Sequence, residues 1–111
     1  MSSAKELFKE AEQLKREGKN EEAIAKFEEV LQLDDKHVLT HLSLAVLYGK
    51  VDKHLEAVKH GERAVELEPN DTFNYTALST TYQRAFEGTR DRRFILKAEE
   101  AKQRAHTMQW Q

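Results

Sequence analysis

The chain has no cysteine. A disulfide framework, a thiolate metal site and a cysteine nucleophile are therefore excluded. The absence fits a reducing compartment, and the expected location is cytoplasmic. Proline occurs once and glycine four times in 111 residues, whereas Ala, Leu, Glu, Lys and Gln are plentiful, which is helix-forming composition. No apolar run approaches the roughly 20 residues of a membrane span, and Met1-Ser2-Ser3-Ala4-Lys5-Glu6 has no apolar signal-peptide core. There is no large excess of one charge either. Eighteen Lys/Arg stand against twenty Asp/Glu, a net charge of −2, so nothing draws the whole molecule to nucleic acid or to an anionic membrane. A glycine-rich phosphate loop is also missing, and Ser43 and Ser79 have no base nearby in sequence. No catalytic residue, cofactor or metal is expected. The start at Met1 and the compact length suggest a complete small protein forming one domain, 1–111.

What the chain does have is a period. Ala11 and Leu14 return after 34 residues as Ala45 and Tyr48, and again as Ser79 and Tyr82. Ala23 returns as Ala57, Val30 as Ala64, and Asp35 as Pro69. A fixed period of this length marks one supersecondary unit in tandem, each copy burying its apolar face against the next.

Apolar spacing divides the chain into six helices. Ser3 and Glu6 have capping-box spacing ahead of Leu7, Ala11 and Leu14. Gly18 breaks the pattern, and Asn20 is placed to cap a second helix carrying Ala23, Ile24, Phe27, Val30, Leu31 and Leu33. Asp34-Asp35 ends that pair and is expected to cap a third helix. From Val38 to Tyr48 this helix is apolar almost all round, which predicts a buried, central position. Gly49 to Asp52 turns the chain into a fourth helix with Leu55, Ala57, Val58, Ala64, Val65 and Leu67. Glu68-Pro69-Asn70-Asp71 is a stop followed by a cap. The fifth helix carries Phe73, Tyr75, Leu78, Tyr82 and Phe86. The sixth, from about Arg92 towards Met108, carries Phe94, Ala98, Ala101, Ala105 and Met108.

These positions resemble the tetratricopeptide repeat, whose pattern runs through an aromatic, Leu-Gly, Tyr, Ala, Phe and Pro. The second copy reads His41-x2-Leu44-Ala45-x2-Tyr48, then Ala57, Gly61, Ala64 and Pro69. The first reads Leu7-x2-Glu10-Ala11-x2-Leu14, then Ala23, Phe27 and Val30, and the third opens Tyr75-x2-Leu78-Ser79-x2-Tyr82. The resemblance implies an all-α superhelix of three stacked antiparallel helix hairpins, with repeats at about 4–37, 38–71 and 72–111. Gly61 stands where the family usually has an aromatic, so that repeat should be underpacked or closely approached by another backbone. Aligning Ala98 with the repeat alanine places seven extra residues in the third copy, expected as a longer fifth helix, a longer loop, or both.

By the same resemblance, the first helix of each pair lines a concave groove. That assigns Phe8, Glu12 and Lys15 from the first copy, Leu39, Leu42, Val46 and Lys50 from the second, and Phe73, Thr76, Thr80, Gln83 and Arg84 from the third. Phe8, Leu39, Leu42, Val46 and Phe73 would make an apolar run fit for an amphipathic helix or extended peptide. Their alternative role is plain core. Arg16, Lys50 and Arg84 recur at 34-residue intervals, either complementing helix C-termini or binding acidic groups of a partner. Some relatives grip chaperone C-termini with a Lys/Asn/Arg clamp; the matching positions here are Phe8, Glu12, Ser43, Phe73 and Ala77, none with that chemistry. The expected function is thus a non-catalytic module binding a protein or peptide.

The alternative is a self-assembling structural or scaffold protein, a homo-oligomer built through the same apolar groove surface and oppositely charged ends. Residues 1–35 carry six Lys/Arg against ten Asp/Glu, and residues 71–111 carry seven against five. The imbalance is either ordinary solvated helix faces or an acidic end that meets a basic end between copies. His37 and His41 have metal-ligand spacing but no third ligand nearby, so packing is the expected role. His54, His60 and His106 stand alone and are expected to face solvent. Arg90, Arg92 and Arg93 form a small basic cluster that could meet a phosphate or simply start a solvated helix beside Asp91.

Overall fold

The computed structural model describes residues 3–110. Six helices follow one another: α1 Ala4–Arg16, α2 Asn20–Leu33, α3 Val38–Lys50, α4 His54–Leu67, α5 Thr72–Thr89 and α6 Arg92–Gln109. No strand is present among the described residues. α1 packs on α2, α3 on α4 and α5 on α6, as antiparallel hairpins; α2 meets α3, α4 meets α5, and α3 touches α5 across one face.

Local chemistry explains the boundaries. Ser3 Oγ accepts from the Glu6 amide at 3.1 Å, while the Ser3 amide donates to Glu6 Oε1 at 3.3 Å, closing the expected capping box. The α1 C-terminus is a Schellman motif. Gly18 sits at φ +77°, its amide donates to the Lys15 carbonyl, and the Lys19 amide donates to that of Leu14. This turn carries the chain directly into α2, so Lys19, not Asn20, holds the cap position, and it makes no side-chain capping bond. The same motif ends α3, now with Asp52 at φ +62° and the Asp52 and Lys53 amides donating to Gly49 and Tyr48. Gly49 therefore stays inside α3, and the turn lies at 51–53.

Asp34 does not cap α3 either. Its carboxylate accepts from the Lys36 amide in a local turn, and His37 caps instead, its Nδ1 accepting from the Thr40 amide at 3.3 Å. Asp71 and Asp91 cap α5 and α6 as expected for acceptors at a helix N-terminus.

α3 is the most enclosed helix, with Thr40, His41, Ser43, Leu44, Ala45, Leu47 and Tyr48 all buried. One core cluster joins Ala11, Ala23, Phe27, Leu44, Leu47, Tyr48 and Ala57. A second joins Val58, Leu78, Tyr82, Ala85, Phe94, Ala98 and Ala101. α4 serves both through adjacent residues, Ala57 and Val58. The place where a Gly61 Cβ would sit is 3.0 Å from Leu78 Cδ1 of α5, so Gly61 marks a close approach by a neighbouring side chain. α5 and α6 each run for 18 residues, against 13 for α1 and α3. α5 runs on to Thr89, and α6 begins at Arg92, four residues beyond the place that the 34-residue phase sets from His54, so the third pair departs from the phase through a longer fifth helix. Tyr48 stacks on His60, and Tyr82 stacks on Phe94.

Candidate functional site

Small residues open a pocket between α3 and α5. Ala45, Ala77 and Gly61 contribute almost no bulk, and around them stand Leu42, Val46, Phe73, Thr76, Thr80, Thr81 and Arg84. The cavity is about 260 Å³, smaller than the roughly 300–1,000 Å³ of drug-sized ligand sites. Six of the twelve groove residues read from the sequence meet here: Leu42, Val46, Phe73, Thr76, Thr80 and Arg84. Phe73 is 63% exposed at the pocket mouth.

The other six lie elsewhere. Phe8 is half-buried, edge-on to Phe27 with centroids 5.6 Å apart and 4.9 Å from the His37 ring, so it belongs to the margin of the first core. Glu12 and Lys15 face one another along α1 at 4.0 Å. Leu39 is 59% exposed in the first turn of α3, outside the pocket, and Lys50 is exposed in its last turn. Gln83 lines a separate cavity of about 370 Å³ between α5 and α6, which shares Thr76 and Thr80 and adds Ser79, Lys102 and His106.

The polar inventory of the α3–α5 pocket is short. Thr76, Thr80 and Thr81 donate their hydroxyls to the carbonyls of Thr72, Thr76 and Ala77, one turn back on their own helix. Arg84 is exposed, and among the described residues it makes no hydrogen bond or ion pair. No carboxylate lines the cavity.

Outside the groove, the structure corrects the reading of the histidines. His60 is largely buried and stacks on Tyr48, with ring centroids 5.5 Å apart and planes 7° apart. His41 Nε2 lies 2.8 Å from the Asp35 carbonyl oxygen, which can only accept, so this nitrogen carries the proton. His41 Nδ1 then accepts from His60 Nδ1 at 2.9 Å. His60 Nε2 faces Glu28 Oε1 at 3.9 Å, and the Tyr48 hydroxyl donates to Glu28 Oε2 at 3.0 Å. Burial holds His60 below its ordinary value of 6.5, against the opposing pull of Glu28. Burial, with the hydrogen bond to Glu28, pushes the Tyr48 phenol up to about 12. His54 is likewise mostly enclosed, its ring against Gly88. Since His37 is a cap and His41 is committed on both nitrogens, neither is free for a metal; no group of three candidate ligands occurs among the described residues.

The Tyr48–Glu28 bond has a counterpart that the sequence reading passed over. Tyr82 donates to Glu62, 34 residues on, and its phenol too is pushed up by burial and that bond. The signal was available as the pairing of Glu28 with Glu62 in phase with Tyr48 and Tyr82. The basic cluster beside α6 is partly committed as well. Arg93 clasps Asp91 through Nε and Nη2, and Arg90 lies 5.9 Å above the Phe86 ring. No helix is long and apolar enough to cross a membrane among the described residues.

No protein-family sequence model matches the chain, and neither does any curated protein sequence. Solved structures do. The second tetratricopeptide domain of Spaghetti (RPAP3), bound to the HSP90 peptide SRMEEVD, superposes with a TM-score of 0.78 at 21% identity, covering 96% of this chain and 93% of that one. The first such domain of the same protein, bound to the same peptide, gives 0.66 at 18% identity with the same coverage. MamA gives 0.69 at 16% identity, covering 95% of this chain and 61% of MamA. Six helices in stacked antiparallel pairs, superposing on these domains over nearly their whole length, make this chain's fold that of the tetratricopeptide-repeat domains.

Proposed function

We propose that the chain is a non-catalytic interaction module that takes a peptide or helix in the α3–α5 groove. The observation that carries this reading is the open pocket lined by Leu42, Val46 and Phe73. Leaving such apolar surface in water forgoes about 25 cal/mol per Å², which a partner's side chain would recover. The RPAP3 domains that share the fold hold a peptide. Their ligand does not transfer directly. At the positions matched to the clamp, this chain has Phe8, Glu12, Ser43, Phe73 and Ala77, so capture of a chaperone C-terminus by that chemistry is not part of the proposal. The remaining groove residues, Leu39, Lys50 and Gln83 with Glu12 and Lys15, serve as flanking contacts. The setting is cytoplasmic.

The test is selection of random displayed peptides on the wild-type protein, followed by binding to Leu42→Glu. A carboxylate in place of Leu42 removes part of the apolar wall and competes for Arg84 in the same cavity, so it should weaken the selected peptides by at least roughly 10-fold, about 1.4 kcal/mol. Equal binding by a Leu42→Glu protein with wild-type helicity overturns the reading. Self-association is the second reading, favoured by the exposed Ile95, Leu96 and Trp110 on and beyond α6. A sedimentation profile unchanged across concentration and salt removes it.

A further inference from the structure

We infer that the α3–α5 pocket selects a segment in which an aliphatic side chain lies close to the side-chain carboxylate of an aspartate or glutamate. The inference rests on the peptide-binding reading above and adds the chemistry of the occupant. Three observations lead to it. First, the pocket's size fits part of a chain and not a drug-sized molecule: about 260 Å³ around Leu42, Ala45, Val46 and Phe73. Second, its hydroxyls are spent. Thr76, Thr80 and Thr81 each donate to a carbonyl of α5 itself, so a neutral polar ligand would find those donors already engaged. Third, the remaining side-chain donor in the lining is Arg84, which has no partner among the described residues and no carboxylate beside it in the cavity.

A guanidinium presents a planar fork of N–H donors suited to a carboxylate. Beside an apolar wall its pairing is screened less than on open surface. The partner must therefore bring the anion that the pocket lacks. A side-chain carboxylate is favoured over a chain terminus because terminal capture uses several converging donors, and here one cation lines the cavity.

The experiment is an array of N-acetylated, C-amidated ten-residue peptides. Each fixes one leucine and one glutamate at a set spacing in an otherwise degenerate background. Control spots carry glutamine for glutamate, alanine for leucine, or a free C-terminus without the glutamate. The array is probed with wild-type protein, Arg84→Gln, Arg84→Glu and Leu42→Glu. Wild type should prefer glutamate over glutamine by roughly 10-fold or more at low salt, the scale of one charge-assisted hydrogen bond. Arg84→Gln should abolish that preference, and Arg84→Glu should reverse it towards glutamine. Arg84 is exposed and unpartnered in the fold, so both variants should stay folded. If leucine spots bind and are lost in Leu42→Glu, but glutamate and glutamine bind alike, the acidic inference is overturned and the groove stands. If the free C-terminus replaces the internal glutamate as the preferred anion, the inference is overturned as well. If wild type binds no spot better than Leu42→Glu does, the groove reading fails and takes the inference with it.

Discussion

Asp52 shows how a repeat can keep a backbone conformation while changing the residue that pays for it. Gly18 and Asp52 occupy the same left-handed position 34 residues apart, at φ +77° and +62°, and both end a helix through the same pair of amide-to-carbonyl bonds. Glycine adopts this conformation without a Cβ penalty, whereas other L-residues bear about 1–2 kcal/mol there. Asp52 recovers little in exchange, since its carboxylate is almost fully exposed and 3.6 Å from His54 Nε2. Asp52→Gly should therefore stabilise the protein by about 0.5–1 kcal/mol, after allowing for glycine's larger unfolded-state entropy. Urea unfolding would show this as a rise in midpoint at unchanged slope. A lower midpoint would mean that the Asp52–His54 contact outweighs the backbone strain. The turn at Gly18 could be read from the glycine itself; the turn at Asp52 could not, because aspartate marks caps and loops of several kinds. The misplacement of the α2 cap has a related cause. Asn20 is the better capping residue, but the Schellman turn at Gly18 puts Lys19 in the cap position, and backbone geometry overrides side-chain preference.

Between elements, the hairpins are tied by part-buried polar contacts with the same period as the apolar ones. Glu28 of α2 accepts from Tyr48 of α3, and Glu62 of α4 accepts from Tyr82 of α5. In the first of these joints the aromatic partner is a histidine, and that makes it sensitive to pH. The groups around His60 are Glu28 of α2, His41 and Tyr48 of α3, and Glu56 and Lys59 of its own helix. Its native value is lowered mainly by burial. The unfolded chain therefore takes up a proton first as pH falls below the ordinary value of 6.5, and stability drops there; above about pH 7 both states are neutral at this site and the contribution is constant. The expected result is a unfolding midpoint that is flat from pH 8 to 7 and falls towards pH 5.5, with His60→Gln showing a shallower fall. A His60→Gln protein with the wild-type slope would place the titrating group elsewhere. The burial of His60 was hidden in the sequence because a lone histidine on a charged helix gives no sign of which neighbour covers it. That cover comes from how α4 packs beside α2 and α3.

Across the whole molecule, the 34-residue phase explains both what could be read in advance and what could not. The resemblance to the tetratricopeptide repeat, carried over on that phase, implied Leu42, Val46, Phe73, Thr76, Thr80 and Arg84 as groove residues, and the structure brings these six into one pocket. Phe8 left the set because Phe27 and His37 enclose its ring. Phe27 is fully buried in the first core, whereas its counterpart 34 residues later is Gly61, against which Leu78 and Thr81 of α5 pack closely.

The same architecture bears on how the protein unfolds. A stack of repeats is stabilised by contacts between neighbours, so its cooperativity depends on whether adjoining cores share an element. Here they share α4, which places Ala57 in one cluster and Val58 in the other. Leu47 is fully buried in the first cluster, and truncating a buried leucine to alanine costs about 2–5 kcal/mol. Against a total of about 5–15 kcal/mol for a domain of this size, that is a large share. Loosening the first core releases one side of α4 and removes the support on which α5 and α6 pack. Leu47→Ala should therefore raise hydrogen-exchange rates in the most protected amides of α5 and α6 by nearly the same factor as in α3, although neither α5 nor α6 contributes to the first core. Retention of wild-type protection in α5 and α6, with loss confined to α1 to α3, would show instead that the two cores unfold as separate units and that α4 does not couple them.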